Sequence, residues 1–220
     1  MKNFKELILR LAILLLGLTI AHLGVTMFLL ANMGADPFNV LVQGLFQTLQ
    51  TVTGWGFLTH GRVHIAVCFV IILVLLLTDR SYVKLGTVVC MVFGGPIIDL
   101  FSLLLSPLFA AVESYALMLA LLALGCVILA YGMTIVIKSQ AGTGPNDLVA
   151  VVISDKLEKK FSIVRVIVDF SFVLAGFLMG GVFGVGTLVC AFLVGPVAGF
   201  FLPVNERLVS RLLGAAGLKV

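Results

Sequence analysis

Six apolar runs dominate the chain: Leu7–Ala31, Val63–Leu77, Leu85–Leu105, Tyr115–Ile137, Ile163–Leu178 and Gly184–Leu202. A helix needs about 20 residues to cross about 30 Å of hydrocarbon, so the pattern predicts six transmembrane helices. The second and fifth runs are short. They are expected to borrow flanking residues or to lie where the bilayer is thinned. Two further segments, Asn32–Gln50 and Gln140–Glu158, follow the first and fourth runs and are more polar. Each reads as a glycine-rich break and then a helix with proline in its first turn, where the missing N–H costs nothing.

Gly17–Leu41 aligns without a gap on Gly125–Val149, matching Gly17/Gly125, Ile20/Ile128, Gly24/Gly132, Thr26/Thr134, Gly34/Gly142 and Pro37/Pro145. Leu85–Phe101 aligns on Val185–Phe201, matching Gly86, Thr87, Val89, Cys90, Gly95, Pro96 and Phe101 one hundred residues later. Apolar sequences align by chance through Leu and Val, but these matches are mostly Gly, Pro and Thr in the same order. The chain is therefore expected to be a duplication, residues 1–110 and 111–220, with three spans in each unit. An odd number of spans inserts the two units in opposite orientations, an architecture recurrent in transporters. The expected fold is an all-α membrane domain of two inverted three-helix repeats, each with a re-entrant or interfacial helix.

Composition agrees. Apolar residues make up 61% of the chain and charged residues 11%, with a mean hydropathy of +1.25, whereas a soluble domain carries about a quarter charged residues. The net charge of +4 does not imply nucleic acid, because the basic residues sit in short clusters between apolar runs. With the N-terminus inside, thirteen of the 14 Lys and Arg residues fall on the cytoplasmic side, Arg62 being the exception. This positive-inside bias places both termini in the cytoplasm, with Pro203–Val220 as a tail. The N-terminal segment imitates a signal peptide but lacks a small-x-small cleavage site, so it is expected to be retained. Cys68, Cys90, Cys126 and Cys190 lie in apolar runs without metal-ligand spacing and are expected to be packing residues.

Within the breaks, Asp36 precedes Pro37 as an N-cap, while Gly144 takes that place before Pro145 and Asp147 lies in the first turn, where the helix dipole favours a carboxylate. Asn39, Gln43, Gln47 and Gln50 form a polar stripe that suits an interfacial helix and a half-helix lining a wet cavity equally well. Gly142-Thr143-Gly144-Pro145-Asn146-Asp147, with the later Gly-Thr and Gly-Pro turns, resembles the YczE/YyaS/YitT family of bacterial membrane proteins. The first copy departs, with Asp36 for the middle glycine and Asn39 for the aspartate. The resemblance covers nearly the whole chain and implies a bacterial inner-membrane protein with repeated units, but no activity.

Asp99, Arg165 and Asp169 are ionisable groups inside predicted spans, which marks them as functional candidates. Arg165 and Asp169 are four apart and are expected to pair. Asp99 has no sequence neighbour of opposite sign and must face the interior. His22 shares a face with Thr19 and Thr26 and reads as a hydrogen-bonded interior residue. His60 and His64 have two-histidine spacing but lack the glutamate of a zinc hydrolase motif, so no metal or other cofactor is expected, and no nucleophile–base pair suggests an enzyme. The expected function is transport or permeation of a small solute, cationic, zwitterionic or proton-coupled. Its expected site is a midplane cavity lined by Gly34, Asp36, Pro37, Asn39, Gly142, Gly144, Pro145 and Asp147, with Asp99, Thr26 and Thr134 beside it. The alternative is an accessory protein acting through a membrane partner. Other expected associations are lipid and a homo-oligomeric copy.

Overall fold

The structure, a computed structural model, describes residues 2–159 and 161–216, with the side chains of residues 2, 3, 161, 162, 165 and 191 outside that description. Lys160 and Lys219, counted in the charge bias, lie outside the described residues. Among the described residues, eight α-helices follow in order: α1 (Lys2–Ala31), α2 (Pro37–Thr53), α3 (His60–Thr78), α4 (Leu85–Ala110), α5 (Tyr115–Ser139), α6 (Pro145–Leu157), α7 (Phe161–Leu178) and α8 (Val185–Ala215). A single 3-10 turn, Arg80–Tyr82, joins α3 to α4. No strand occurs among the described residues. Helices α1, α3, α4, α5 and α8 are long and apolar enough to cross a membrane, whereas the apolar part of α7 is shorter, Val166–Leu178. Five of the six expected spans thus reach crossing length.

The centre of the molecule is the crossing of α1 and α5. A β-carbon at Gly17 would strike the Gly132 carbonyl at 2.9 Å, and one at Gly125 would meet the Gly24 carbonyl at 3.1 Å. The helices therefore run antiparallel, and small residues at both ends of the contact let the backbones approach closely. The same register continues to Arg10, whose guanidinium donates to the Ser139 carbonyl at 3.1 Å and the Gln140 Oε1 at 3.2 Å. These contacts satisfy acceptors that the last turn of α5 leaves open.

Contacts around this crossing come in matched pairs. Gly86 N–H donates to the Ala141 carbonyl at 3.0 Å, and Gly186 N–H donates to the Met33 carbonyl at 2.7 Å. Gly86 lies against Leu14 and Gly186 against Leu122, both leucines fully buried. The breaks also share a backbone form: Asn32 and Gln140 have φ of 49° and 58°, and Gly34 and Gly142 follow at 107° and 154°. Only glycine takes the latter values without strain.

Two local expectations are corrected. The Gly95-Pro96 and Gly195-Pro196 pairs lie inside α4 and α8 rather than at turns, and Pro203 does not end the last helix. Proline interrupts a membrane helix little when neighbouring groups satisfy the freed carbonyl. Beyond Pro203, Val209 and Leu213 are buried with Ile13 and Ile135, so residues 203–215 form a packed extension of α8 instead of a tail. Near the 3-10 turn, Ser81 donates to Asp79 from its amide and hydroxyl and holds that carboxyl below its ordinary range. The Tyr82 hydroxyl donates to Asp155 at 3.0 Å, tying this linker to α6.

The matched pairs have limits. A β-carbon at Gly95 would strike the Gly61 carbonyl and come within 2.7 Å of Ile65, whereas Gly195 has nothing within 4 Å. Gly95→Ala is therefore expected to lower the thermal midpoint of the detergent-purified protein by several degrees. Gly195→Ala should leave it unchanged or raise it slightly, alanine being favoured over glycine in helices by about 1 kcal/mol. Equal effects at both positions would contradict the packing described.

Candidate functional site

Polar side chains gather where α2 and α3 begin. Asp36 caps α2, accepting from the Asn39 amide at 3.3 Å and from Asn39 Nδ2 at 2.7 Å. With Nδ2 committed to the carboxylate, Asn39 Oδ1 is the acceptor for His60 Nε2 at 3.1 Å. The carboxylate thereby orients the amide, and the amide fixes the imidazole tautomer with its proton on Nε2. Asn39 is 3% exposed, so this chain of three is sheltered along its middle. Phe38 carries the network deeper, packing edge-on against His64 with ring centroids 5.3 Å apart.

His64 in turn lies edge-on to His22 of α1, centroids 5.6 Å apart. Both rings rest on the bare face of Gly94 in α4: a β-carbon there would sit 3.0 Å from His22 Nε2 and 3.2 Å from His64 Nε2. His22 Nδ1 donates to the Leu18 carbonyl at 2.9 Å, which leaves Nε2 as the acceptor nitrogen in the neutral ring. His64 Nδ1 is buried with no hydrogen-bond partner.

Asp99 is held on the rim of this region by the start of α3. Its Oδ2 accepts from the Thr59 hydroxyl at 2.6 Å and its Oδ1 from the Gly61 amide at 2.9 Å. Thr59 Oγ1 also accepts from the Arg62 amide at 3.1 Å, so Asp99 and Thr59 together close the first turn of α3. Asp99, which has no sequence neighbour of opposite sign, is thus an acceptor at the start of α3 with both oxygens engaged.

The remaining sequence candidates are spread out. Gly34 sits against Thr187 and Gly184, and Gly142 against Gly86 and Thr87, a β-carbon at either coming within 2.6 Å of polar atoms. Both glycines therefore serve close backbone approach. Gly144 and Pro145 begin α6, where Asn146 Nδ2 donates to Asp147 Oδ1 at 3.1 Å. Pro37 begins α2. Thr26 donates to the His22 carbonyl at 2.8 Å and Thr134 to the Tyr131 carbonyl at 2.8 Å. In the α1/α5 register these hydroxyls stand about 11 residues apart along the pair, roughly 17 Å at 1.5 Å per residue, so they do not share one site. Thr134 instead accepts from Asn205 Nδ2 at 2.6 Å. Asp169 is half-buried on α7, and the Arg165 side chain lies outside the described residues.

The start of α2 and the middle of α6 pack against a common ring of α7. Phe172 of α7 packs edge-on to Phe38, centroids 5.7 Å apart, and also joins the cluster of Ala150, Val164 and Val168. The polar stripe of α2 faces the α7–α8 connection, where Gln43 Oε1 accepts from the Val182 amide at 3.1 Å and Thr48 donates to the Met179 carbonyl at 2.8 Å. The stripe therefore glues one loop in place. Two clefts of about 340 and 360 Å³ are lined chiefly by exposed apolar side chains of α6 and α7 and of α8 and lie away from the network. No group of three or more His, Cys, Asp or Glu side chains is placed to hold a metal ion among the described residues. All four cysteines are unpaired with any disulfide and buried.

Thr59 and Gly94 carried no sequence signal, His22 was visible only singly, and His60 and His64 were visible only as a pair four residues apart. The assignment of Asp99 makes a direct prediction. Asp99→Ala is expected to destabilise the protein by about 1–3 kcal/mol through the orphaned α3 amide, measured by thermal or denaturant unfolding. Asp99→Asn, which keeps an acceptor, should cost less than half of that. Equal stability of Asp99→Ala and the parent would remove Asp99 from this role.

Three relatives share most of the chain. An uncharacterized membrane protein, YczE, of Bacillus subtilis is 28% identical over 207 residues, covering 94% of this chain and 91% of its own. An uncharacterized protein of Haemophilus influenzae is 28% identical over 197 residues, 90% of this chain and 85% of its own. The uncharacterized protein YyaS of Bacillus subtilis is 25% identical over 193 residues, 87% of this chain and 92% of its own. No solved structure matches. The apolar helices and the membrane-protein relative together make this a multi-pass membrane protein. The family model matching residues 8–203 covers most of its length, and the chain belongs to that family, DUF6198, a family of unknown function.

Proposed function

We propose that this protein is a small-solute transporter of the bacterial inner membrane, built as two inverted three-span repeats with α2 and α6 as re-entrant half-helices. Both termini face the cytoplasm. The paired backbone bonds from Gly86 and Gly186 and the shared backbone form of the two breaks support the repeat. The single observation that carries the transport reading is the Asp36–Asn39–His60 chain at the start of α2. Hydrogen-bonding groups inside a membrane helix bundle are costly unless paired or serving a pathway, and here they cluster at one broken helix.

In this reading the solute meets the first turn of α2 and the start of α3. Helix N-termini attract anions, but Asp36 and Asp147 occupy both re-entrant starts. The site therefore suits a cationic or zwitterionic solute, with Asn39 and His60 supplying hydrogen bonds and Asp36 the countercharge. The second unit does not repeat this chemistry. At the aligned positions it has Ala130 for His22, Gly144 for Asp36, Asp147 for Asn39 and Gly199 for Asp99, so the first unit binds and the second supports.

Orientation is checked by labelling. A single cysteine at Gln50 in a cysteine-free background should react with an impermeant maleimide in intact cells, and one at Lys159 only after permeabilisation. Reaction of both from one side would rule out the inverted arrangement. Transport is checked in proteoliposomes offered labelled small cations, zwitterions and neutral polar solutes. One class should accumulate above protein-free vesicles, with Asn39→Ala and His60→Ala slowing its uptake at least tenfold in equally well inserted protein. No uptake of any class, or uptake indifferent to both substitutions, would count against this site.

A further inference from the structure

On the repeat proposed above, α7 is the counterpart of α3 and α8 of α4: α3 ends at Thr78 and α4 begins at Leu85, α7 ends at Leu178 and α8 begins at Val185. The two pairs are nevertheless packed differently. In the first unit the start of α3 sits on α4, where a β-carbon at Gly95 would strike the Gly61 carbonyl and Asp99 closes the first turn of α3. In the second unit α7 packs on α2 and α6, and among the described residues it has no comparable seam with α8. The face of α8 that corresponds to the α3 seat is bare. Gly195 and Gly199, four residues apart on that face, have nothing within 4 Å, and Phe192 and Phe200 beside them are 80% and 68% exposed. Glycine inside a helix is disfavoured relative to alanine, and small residues at this spacing serve the close approach of another helix. Contact with lipid alone gives no reason for them.

The two ends of α7 are also held unequally. Its last turns are fixed to α2: a β-carbon at Gly44 would strike the Gly176 carbonyl, and one at Gly181 the Val40 carbonyl. Thr48 and Gln43 bond the connection that follows, at Met179 and Val182. The first half of α7 rests on α6 through Val164 and Val168, packed with Ala150, beside an open cleft of about 340 Å³.

We infer that α7 has two seats for its first half, α6 as in this structure and α8 at Gly195 and Gly199, and that it swings between them about its fixed end. The second seat repeats, in the second unit, the docking that α3 already has on α4. Phe172 lies between the moving half and the fixed end, and its ring packs edge-on to Phe38. When α7 moves to α8, that ring is drawn off the start of α2, and the Asp36–Asn39–His60 chain gains an opening on the α6 side. On the orientation proposed above, the swinging half is the cytoplasmic one. The two seats thus make α7 a gate between the cytoplasm and the first turn of α2. That role rests on the transport reading, while the two seats do not.

The test is cross-linking in native membranes of a cysteine-free background carrying Phe161→Cys and Gly195→Cys, the positions aligned with Gly61 and Gly95. A short bifunctional maleimide should join the two within one chain, read by mass spectrometry of the linked peptides. No link overturns the second seat. A link formed only between two chains also overturns it and makes the bare face a seam between copies. If the double variant fails to fold, spin labels at Ile167 and Leu188, both exposed, decide instead. Two distance populations in nanodiscs support the two seats, and one overturns them. Gly195→Leu fills the bare face without touching anything in this structure. It should keep the parent's thermal midpoint, remove the shorter distance and slow solute uptake roughly tenfold, since a hindered gate limits the rate. Persistence of the shorter distance overturns the α8 seat. Uptake indifferent both to Gly195→Leu and to closing the cross-link overturns the gating role alone. Two seats with no uptake of any solute overturn the transport reading instead.

Discussion

The close approach of α1 and α5 is the constraint on which the other contacts depend. Lipid tails are as apolar as leucine, so helices in a membrane gain little from hydrophobic burial against each other and rely on packing and polar contacts. Gly17, Gly24, Gly125 and Gly132 remove the side chains that would hold the two backbones apart. With that crossing set, Leu14 and Leu122 are positioned to receive Gly86 and Gly186, and the starts of α4 and α8 are brought to the two breaks. There they donate the amide bonds to Ala141 and Met33. A bulky residue in the crossing would therefore disturb both breaks at once.

Around this symmetrical centre the polar chemistry is lopsided. The network from Asp36 through Asn39 to His60, the histidine pair over Gly94, and the Asp99 acceptor all lie among α1, α2, α3 and α4. The corresponding part of the other half shows a different use of the same scaffold, with Thr134 engaged by Asn205 and Gly195 and Gly199 open on one side. At the closest contacts a β-carbon would strike backbone of the facing helix, as at Gly24 and Gly132.

The Gly-Pro segments show how one motif serves two purposes. Proline begins both helices, but α2 is capped by the Asp36 side chain, whereas α6 is preceded by Gly144 and carries its carboxylate, Asp147, within the first turn. In α2 the acidic cap is also the first member of a hydrogen-bonded chain into the bundle, whereas in α6 Asp147 is bonded to its neighbour Asn146. A cap and a functional residue are thus not alternatives at Asp36, because a carboxylate has enough lone pairs to close a helix and orient an amide together.

The sequence alone determined the class, the helices and the breaks, because these follow from the length of apolar runs and from glycine and proline, whose backbone effects are local. Most of the matched glycines lie where helices touch, but Gly195 does not. Tertiary structure alone decided which polar groups meet. Asp99 stood alone in sequence, yet its partners Thr59 and Gly61 lie some 40 residues away. His22 and His64 belong to different helices and become a pair only because Gly94, on a third, leaves room for both rings. The threonines Thr26 and Thr134 matched in sequence and still lie apart, since an antiparallel crossing carries equivalent residues away from each other unless they stand at its centre. The run past Pro203 read as a tail, and only its neighbours on α1 and α5, Ile13 and Ile135 among them, show that Val209 and Leu213 are buried. Local conformation is written in neighbouring residues, whereas a site made by helix packing depends on distances that no linear spacing encodes.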